Sequence, residues 1–302
     1  MKKSKFHLFL VLFYGLSGCI QSSREPLNNA SSDPDVYTRT QPPLKLNKVW
    51  ETDTIFTTVE SIVFYPIQNI LIASNINGDP TKKDGNGFLS RLTTKGEVID
   101  LHWVTGLNAP KGMGIYGNKL YVTDIDELVE IDIEKSKIVK KYPVIGAEFL
   151  SDVVIDSQGI VYFTDSNTNK IHQLKGDMIT TWLENADLDG PNGLFVTERH
   201  LLITSMASSD LRSINMTTGK IKVVTDNIGA GHGIMAIGNG GYLISNWQGE
   251  IYYLNADGTK FKILDTKKDN INAADIEYIK EKNLLLVPTF FDNRIMAYSL
   301  HE

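Results

Sequence analysis

A short motif returns six times along this chain, and its spacing restricts the fold more than any other feature. Each copy opens on a polar or small pair and runs into apolar residues. The copies read Glu60-Ser61-Ile62-Val63-Phe64, Lys111-Gly112-Met113-Gly114-Ile115, Ser151-Asp152-Val153-Val154-Ile155, Asn192-Gly193-Leu194-Phe195-Val196, His232-Gly233-Ile234-Met235-Ala236 and Ala274-Asp275-Ile276-Glu277-Tyr278. Their first positions are separated by 51, 40, 41, 40 and 42 residues. Each copy is followed by a turn and a second apolar run, such as Leu120-Tyr121-Val122-Thr123 or Val161-Tyr162-Phe163-Thr164, rich in the β-branched and aromatic residues that favour strands. The turns carry Gly117-Asn118, Ser157-Gln158-Gly159 and Asn239-Gly240, residues that tolerate positive φ between paired strands. A period near forty with strand chemistry requires about four strands per repeat, which is a propeller blade.

The spacing therefore predicts an all-β, six-bladed propeller over residues 44–302. The final repeat stops one strand short of a blade after Arg294-Ile295-Met296-Ala297-Tyr298-Ser299-Leu300. Upstream of the first copy, Leu44-Lys45-Leu46-Asn47-Lys48-Val49-Trp50 alternates apolar and polar residues as a half-buried strand does. This segment is expected to complete the last blade and close the ring. Hydrophobic residues make up 42% of the 302, enough for one large core, and a net charge of −6 gives no general attraction for nucleic acid.

The N-terminus carries a second signal. Lys2, Lys3 and Lys5 precede the apolar run Leu8-Phe9-Leu10-Val11-Leu12-Phe13, the layout of a secretory signal. That run is too short to span a bilayer as a helix. It ends in Leu16-Ser17-Gly18-Cys19, which resembles the lipobox of bacterial lipoproteins, and Cys19 is the one cysteine of the chain. With no second cysteine for an internal disulfide, its position is explained by lipidation, with residues 1–18 as signal peptide. Residues 19–43 are Ser-, Asn-, Pro- and Asp-rich, so they are expected to be a disordered tether. The resemblance implies a protein of the bacterial cell envelope held only by its lipid. Ile20 stands where an Asp would mark inner-membrane retention, which points to the outer membrane. A monomer is expected, with a small molecule or an envelope protein as partner.

In a propeller the inner strand of each blade starts at one mouth of the central channel and the second strand returns to it. Glu60, Lys111, Ser151, Asn192, His232 and Ala274 open the inner strands, and Asn75, Asp124, Asp165, Ser205, Asn246 and Thr289 close the second strands. These twelve are expected to ring one opening, with only turns at the other end. Asp124 and Asp165 are read as acceptors for loop amides rather than ligands, and Asp152 and Asp275 as partners of backbone donors near the mouth. The excess length of the first step lies in residues 77–87, a Gly-rich loop that must emerge at this mouth, as a flap over it or as a plain insertion. Trp247 stands beside Asn246, either to stack on a ligand or to cap the fifth blade.

With Glu60 early in the first repeat and Asp189-Gly190-Pro191-Asn192-Gly193 in the fourth, residues 45–302 resemble the gluconolactonase, regucalcin and senescence-marker-protein family of six-bladed propellers. Asp292-Asn293-Arg294-Ile295 and Asn169-Lys170-Ile171 resemble the endings of NHL-repeat blades. The resemblance implies a divalent cation at the mouth, held by Glu60 and Asn192, with His232 where the family has Asp. It also places Ser151 and Phe149 where the family has a substrate-orienting Asn and Arg. Glu60 and Asn192 offer oxygens suited to Ca²⁺, Mg²⁺ or Mn²⁺, and an imidazole ligand moves the preference toward Zn²⁺, Mn²⁺ or Fe²⁺. His232 can alternatively be the base that activates water, a role suited to a pKa near neutrality. Lys111 can hold a carboxylate or phosphate of a substrate. Two functions stay open: a mouth that binds a ligand or partner, and a metal-dependent hydrolase of a lactone or related ester.

Overall fold

The computed structural model describes residues 42–302, and the signal peptide, Cys19 and nearly all of the proposed tether lie outside them. Strands form six four-stranded antiparallel sheets, in agreement with the six repeats. All three turns named from the sequence hold residues of positive φ: Gly117, Gly159 and the pair Asn239-Gly240. At Asn239-Gly240, for example, both residues take positive φ (49° and 75°) between the paired Gly238 and Gly241. That is the two-residue turn whose twist suits a hairpin.

The ring closes as the alternation at residues 44–50 foretold. Strand Lys45–Glu51 pairs antiparallel with the C-terminal strand Ile295–His301, so that Leu46 faces Leu300, and it becomes the outer strand of the sixth blade. Its register slips between Lys48 and Trp50. Trp50 then packs toward the first blade, over Gly96, where a Cβ would stand 2.7 Å from the indole.

The core is divided into six apolar layers, one between each pair of neighbouring blades. Tyr65, Ile72 and Leu89 of the first blade, for instance, pack on Leu120, Val122 and Val129 of the second. Phe163 with Tyr142, Ile203 with Ile171, Ile244 with Leu202, Leu285 with Ile251 and Leu286 with Ile62 mark the other five. A further small cluster of Ile76, Ala109, Ile125, Ala274 and Phe290, with Trp247 against it, lies under the loops of one face.

Five of the six inner strands start with a bulge. In the first blade Val59 pairs with Asn75 and Ile62 with Ala73, so Glu60 and Ser61 together oppose the single residue Ser74. The same slip sets Lys111-Gly112 against Thr123, Ser151-Asp152 against Thr164, Asn192-Gly193 against Thr204 and His232-Gly233 against Ser245. A bulge leaves backbone groups without ladder partners, and the opposing hydroxyl takes them up. Thr204 Oγ1 accepts from Gly193 N at 2.8 Å and donates to His232 O of the next blade at 3.1 Å. Thr164 links Asp152 N to Asn192 O, and Ser245 links Gly233 N to Ala274 O, in the same way. In the sixth blade Pro288 occupies the hydroxyl position, and Asp275 N donates directly to Glu60 O at 3.0 Å. Glycine at the second bulge position follows from this close approach: a Cβ on Gly193 would stand 1.5 Å from His232 O.

Candidate functional site

The bulges turn the opening residues toward the channel, and five of them meet there. Glu60, Lys111, Ser151, Asn192 and His232 line one cavity of about 220 Å³, walled by Ile76, Pro80, Phe149, Met206, Trp247 and Phe290. All five polar side chains are buried, Lys111 with 2% of its surface exposed. Ala274, the sixth opener, is covered by the apolar cluster beneath the mouth loops and is absent from this lining.

Each floor residue is held differently. Glu60 Oε2 is buried and has no hydrogen-bond partner. Burial, reinforced by the Asp275 carboxylate, holds Glu60 well above the usual carboxylate range. Lys111 Nζ lies 3.2 Å from Ala109 O and 4.5 Å above the Phe149 ring, and burial brings its pKa below the usual ammonium range. Ser151 Oγ shares a 2.7 Å hydrogen bond with Ser166 Oγ. The Asn192 amide donates to Met206 Sδ at 3.0 Å. The His232 ring stacks on Trp247, centroids 5.3 Å apart, with Nδ1 3.4 Å from Ala230 O. Burial drives its pKa down to about 4. The near-neutral value expected for a base is therefore not the one its surroundings give, and the imidazole stays neutral at physiological pH.

The closing residues do not reach this cavity. Asp124 accepts from Asn108 N, Asn108 Nδ2 and Ala109 N, and Asp165 accepts from Glu148 N and Phe149 N, the structural role expected of both. Much of the apolar wall comes instead from the residue after four of the six closing positions: Ile76, Met206, Trp247 and Phe290. That offset is legible in the sequence for these four blades, whereas Ile125 and Ser166 hold the same place without lining the cavity. Trp247 both packs and lines, with Phe290 edge-on at 4.4 Å and Phe291 at 5.8 Å. The loop of residues 77–87 emerges at this mouth and contributes Pro80. It is fastened over the second blade by Lys83 to Asp126 at 2.6 Å and Gly85 N to Asn108 Oδ1 at 3.2 Å.

The other end of the channel holds more than turns. A second cavity of about 260 Å³ is lined by Asp152, Asp275 and Glu277 among apolar side chains such as Met113, Met235 and Phe195. Asp152 accepts from Val153 N and Leu194 N, Asp275 from the Ser61 hydroxyl, and Glu277 from Phe64 N. Burial raises all three, Asp275 and Glu277 to about 7. The two aspartates thus line the channel below the mouth, and Asp275 satisfies a hydroxyl rather than a backbone donor.

Among the described residues, no group of three or more His, Cys, Asp and Glu side chains is close enough to hold a metal ion. The set that the family resemblance implies needs the Asn192 amide oxygen as its third member. One orphaned carboxylate oxygen, one amide and one imidazole in a shared cavity fit a divalent cation by donor chemistry. Lys111, in the same lining, opposes it.

No family model matches the chain. No curated protein matches it either. Solved structures do. A gluconolactonase from Xanthomonas campestris superposes with a TM-score of 0.63 at 14% identity, over 82% of this chain and 87% of its own. A catalytically inactive virginiamycin B lyase from Staphylococcus aureus, solved with quinupristin, gives 0.58 at 16% identity, over 85% and 98%. A structure of the nidogen/laminin complex gives 0.58 at 15%, over 72% and 83%. At such identities the likeness is one of fold, and propellers of one fold carry unrelated functions.

Proposed function

We propose that this protein is a lipoprotein of the bacterial cell envelope whose propeller binds a small-molecule ligand at its channel mouth. The lipobox-like Leu16-Ser17-Gly18-Cys19 and the polar residues 19–43 support anchoring through Cys19, and Ile20 supports the outer membrane. The observation that carries the binding reading is the convergence of Glu60, Lys111, Ser151, Asn192 and His232 on one apolar-walled cavity. A few buried polar groups facing an apolar pocket are the usual make-up of a ligand site. The enzymes among the similar structures, and the lyase bound to quinupristin, agree with a small molecule, while the nidogen/laminin complex keeps an envelope protein as the other class of partner. A thermal-shift screen of small molecules, repeated on Ser151→Phe to fill the cavity, tests this. Compounds that stabilise the wild type should lose their effect on the variant; binding that survives the filled cavity overturns the reading.

The orphaned Glu60 oxygen favours a second reading, a hydrolase dependent on a divalent cation (Ca, Mg, Mn or Zn). Glu60, Asn192 and His232 would hold the ion, which would polarise a lactone or ester carbonyl. Ser151 and Lys111 would orient the substrate, and His232, neutral at physiological pH, would accept a proton from water if it is not a ligand. Metal analysis of the purified domain and a lactone-hydrolysis panel on wild type and Glu60→Ala decide this. Turnover that needs both metal and Glu60 establishes the hydrolase, and absence of both removes it.

A further inference from the structure

We propose that the ligand of the mouth is a small apolar monocarboxylate, its anionic head on Lys111 and its body between Trp247, Phe290 and Phe149. This rests on the reading that the mouth is a ligand site. An ammonium carries three donors, and Lys111 Nζ has one protein acceptor, Ala109 O at 3.2 Å. Among the described residues, no carboxylate oxygen lies within 4.0 Å of Nζ. Of the two carboxylates whose charges act on it, Glu60 first and then Asp124, neither pairs with Nζ, and Asp124 already accepts from Asn108 and Ala109. A cation with 2% exposure and unused donors, in the lining of an open cavity, calls for an anion from outside.

The remaining surface defines the rest of the molecule. Trp247 and Phe290 meet edge to face at 4.4 Å and form one wall, and Phe149 lies beneath the ammonium at 4.5 Å. Met206 and Ile76 complete an apolar enclosure of about 220 Å³, suited to a single ring with a short chain. A phosphate dianion would bring a second charge into a site with one cation and few other donors, at a larger desolvation cost. A cationic ligand would meet Lys111 at the same point.

The experiment is calorimetric titration of the purified domain with three molecules of one shape: 3-phenylpropionate, its uncharged amide, and 3-phenylpropylammonium. The carboxylate should bind roughly tenfold or more tightly than the amide, and the ammonium most weakly. In Lys111→Met, which keeps the stem without the charge, the gap between acid and amide should shrink to about twofold or less. Amide or ammonium binding as well as the acid in the wild type overturns the proposal while leaving the mouth a ligand site. No binding of any of the three overturns the proposal and counts against the mouth as a site for this class. The wild-type series decides even if the variant does not fold.

Discussion

His232 at the mouth and Glu277 at the far end of the channel are both displaced from their ordinary pKa by burial, in ways that oppose each other with pH. His232, lowered to about 4, contributes stability that is complete above the ordinary imidazole range and is lost as pH falls through 4. Glu277 and Asp275, raised to about 7, contribute stability that is complete below the ordinary carboxylate range and is lost as pH rises through 7. The acids outnumber the imidazole, since Asp152 and Glu60 are raised as well. The urea midpoint should therefore fall between pH 5 and pH 8. Glu277→Gln retains an acceptor for Phe64 N and should gain roughly 1–3 kcal/mol over wild type at pH 8 with little change at pH 4.5. A wild-type midpoint that is flat or rises over this range would show that these carboxyls ionise freely in the fold. His232→Gln should remove dependence below pH 6 only, measured by the same midpoints.

At the scale of the element, the bulge that opens five of the inner strands is what makes a mouth. Without it, strand alternation would turn successive side chains to opposite faces in an unbroken register; with it, the extra residue re-aims the opener toward the channel. The bulge depends on a hydroxyl in five blades and, in three of these, on a glycine as well. Thr204→Val preserves shape but leaves Gly193 N and His232 O without their bridge, and should cost about 1–3 kcal/mol in chemical denaturation. Gly193→Ala forces a Cβ onto His232 O and should cost more than about 3 kcal/mol or prevent folding. If both variants matched wild type, the bridging role would be wrong. The motif's polar pair was plain in the sequence. The reason for its second member, contact with the neighbouring blade, was not, because that contact joins residues about forty positions apart.

For the whole molecule, closure joins the two ends of the propeller through strand Lys45–Glu51. Removing residues 45–51 would expose the edge of strand Ile295–His301 and uncover the packing around Trp50. An open edge pairs with other chains. The shortened domain should lose about 3 kcal/mol, a fall in Tm of roughly 6–12 °C, and should associate on size-exclusion chromatography. An unchanged Tm and a monomeric profile would mean that five blades and three strands hold the ring alone.

The sequence by itself determined the blade number, the closing strand and the identity of the mouth openers, because these are periodic: repetition and alternation are local properties that survive without coordinates. It also marked Asp124 and Asp165 as acceptors for loop amides, since their place at a strand end implies nearby donors. Only the tertiary structure decided which openers share a cavity, that Ala274 is sealed under Phe290, and that the far end of the channel is acidic. It also decided that His232 is too deeply buried for a near-neutral pKa. Burial and charge coupling depend on distances between blades, and no spacing along one chain encodes those distances directly.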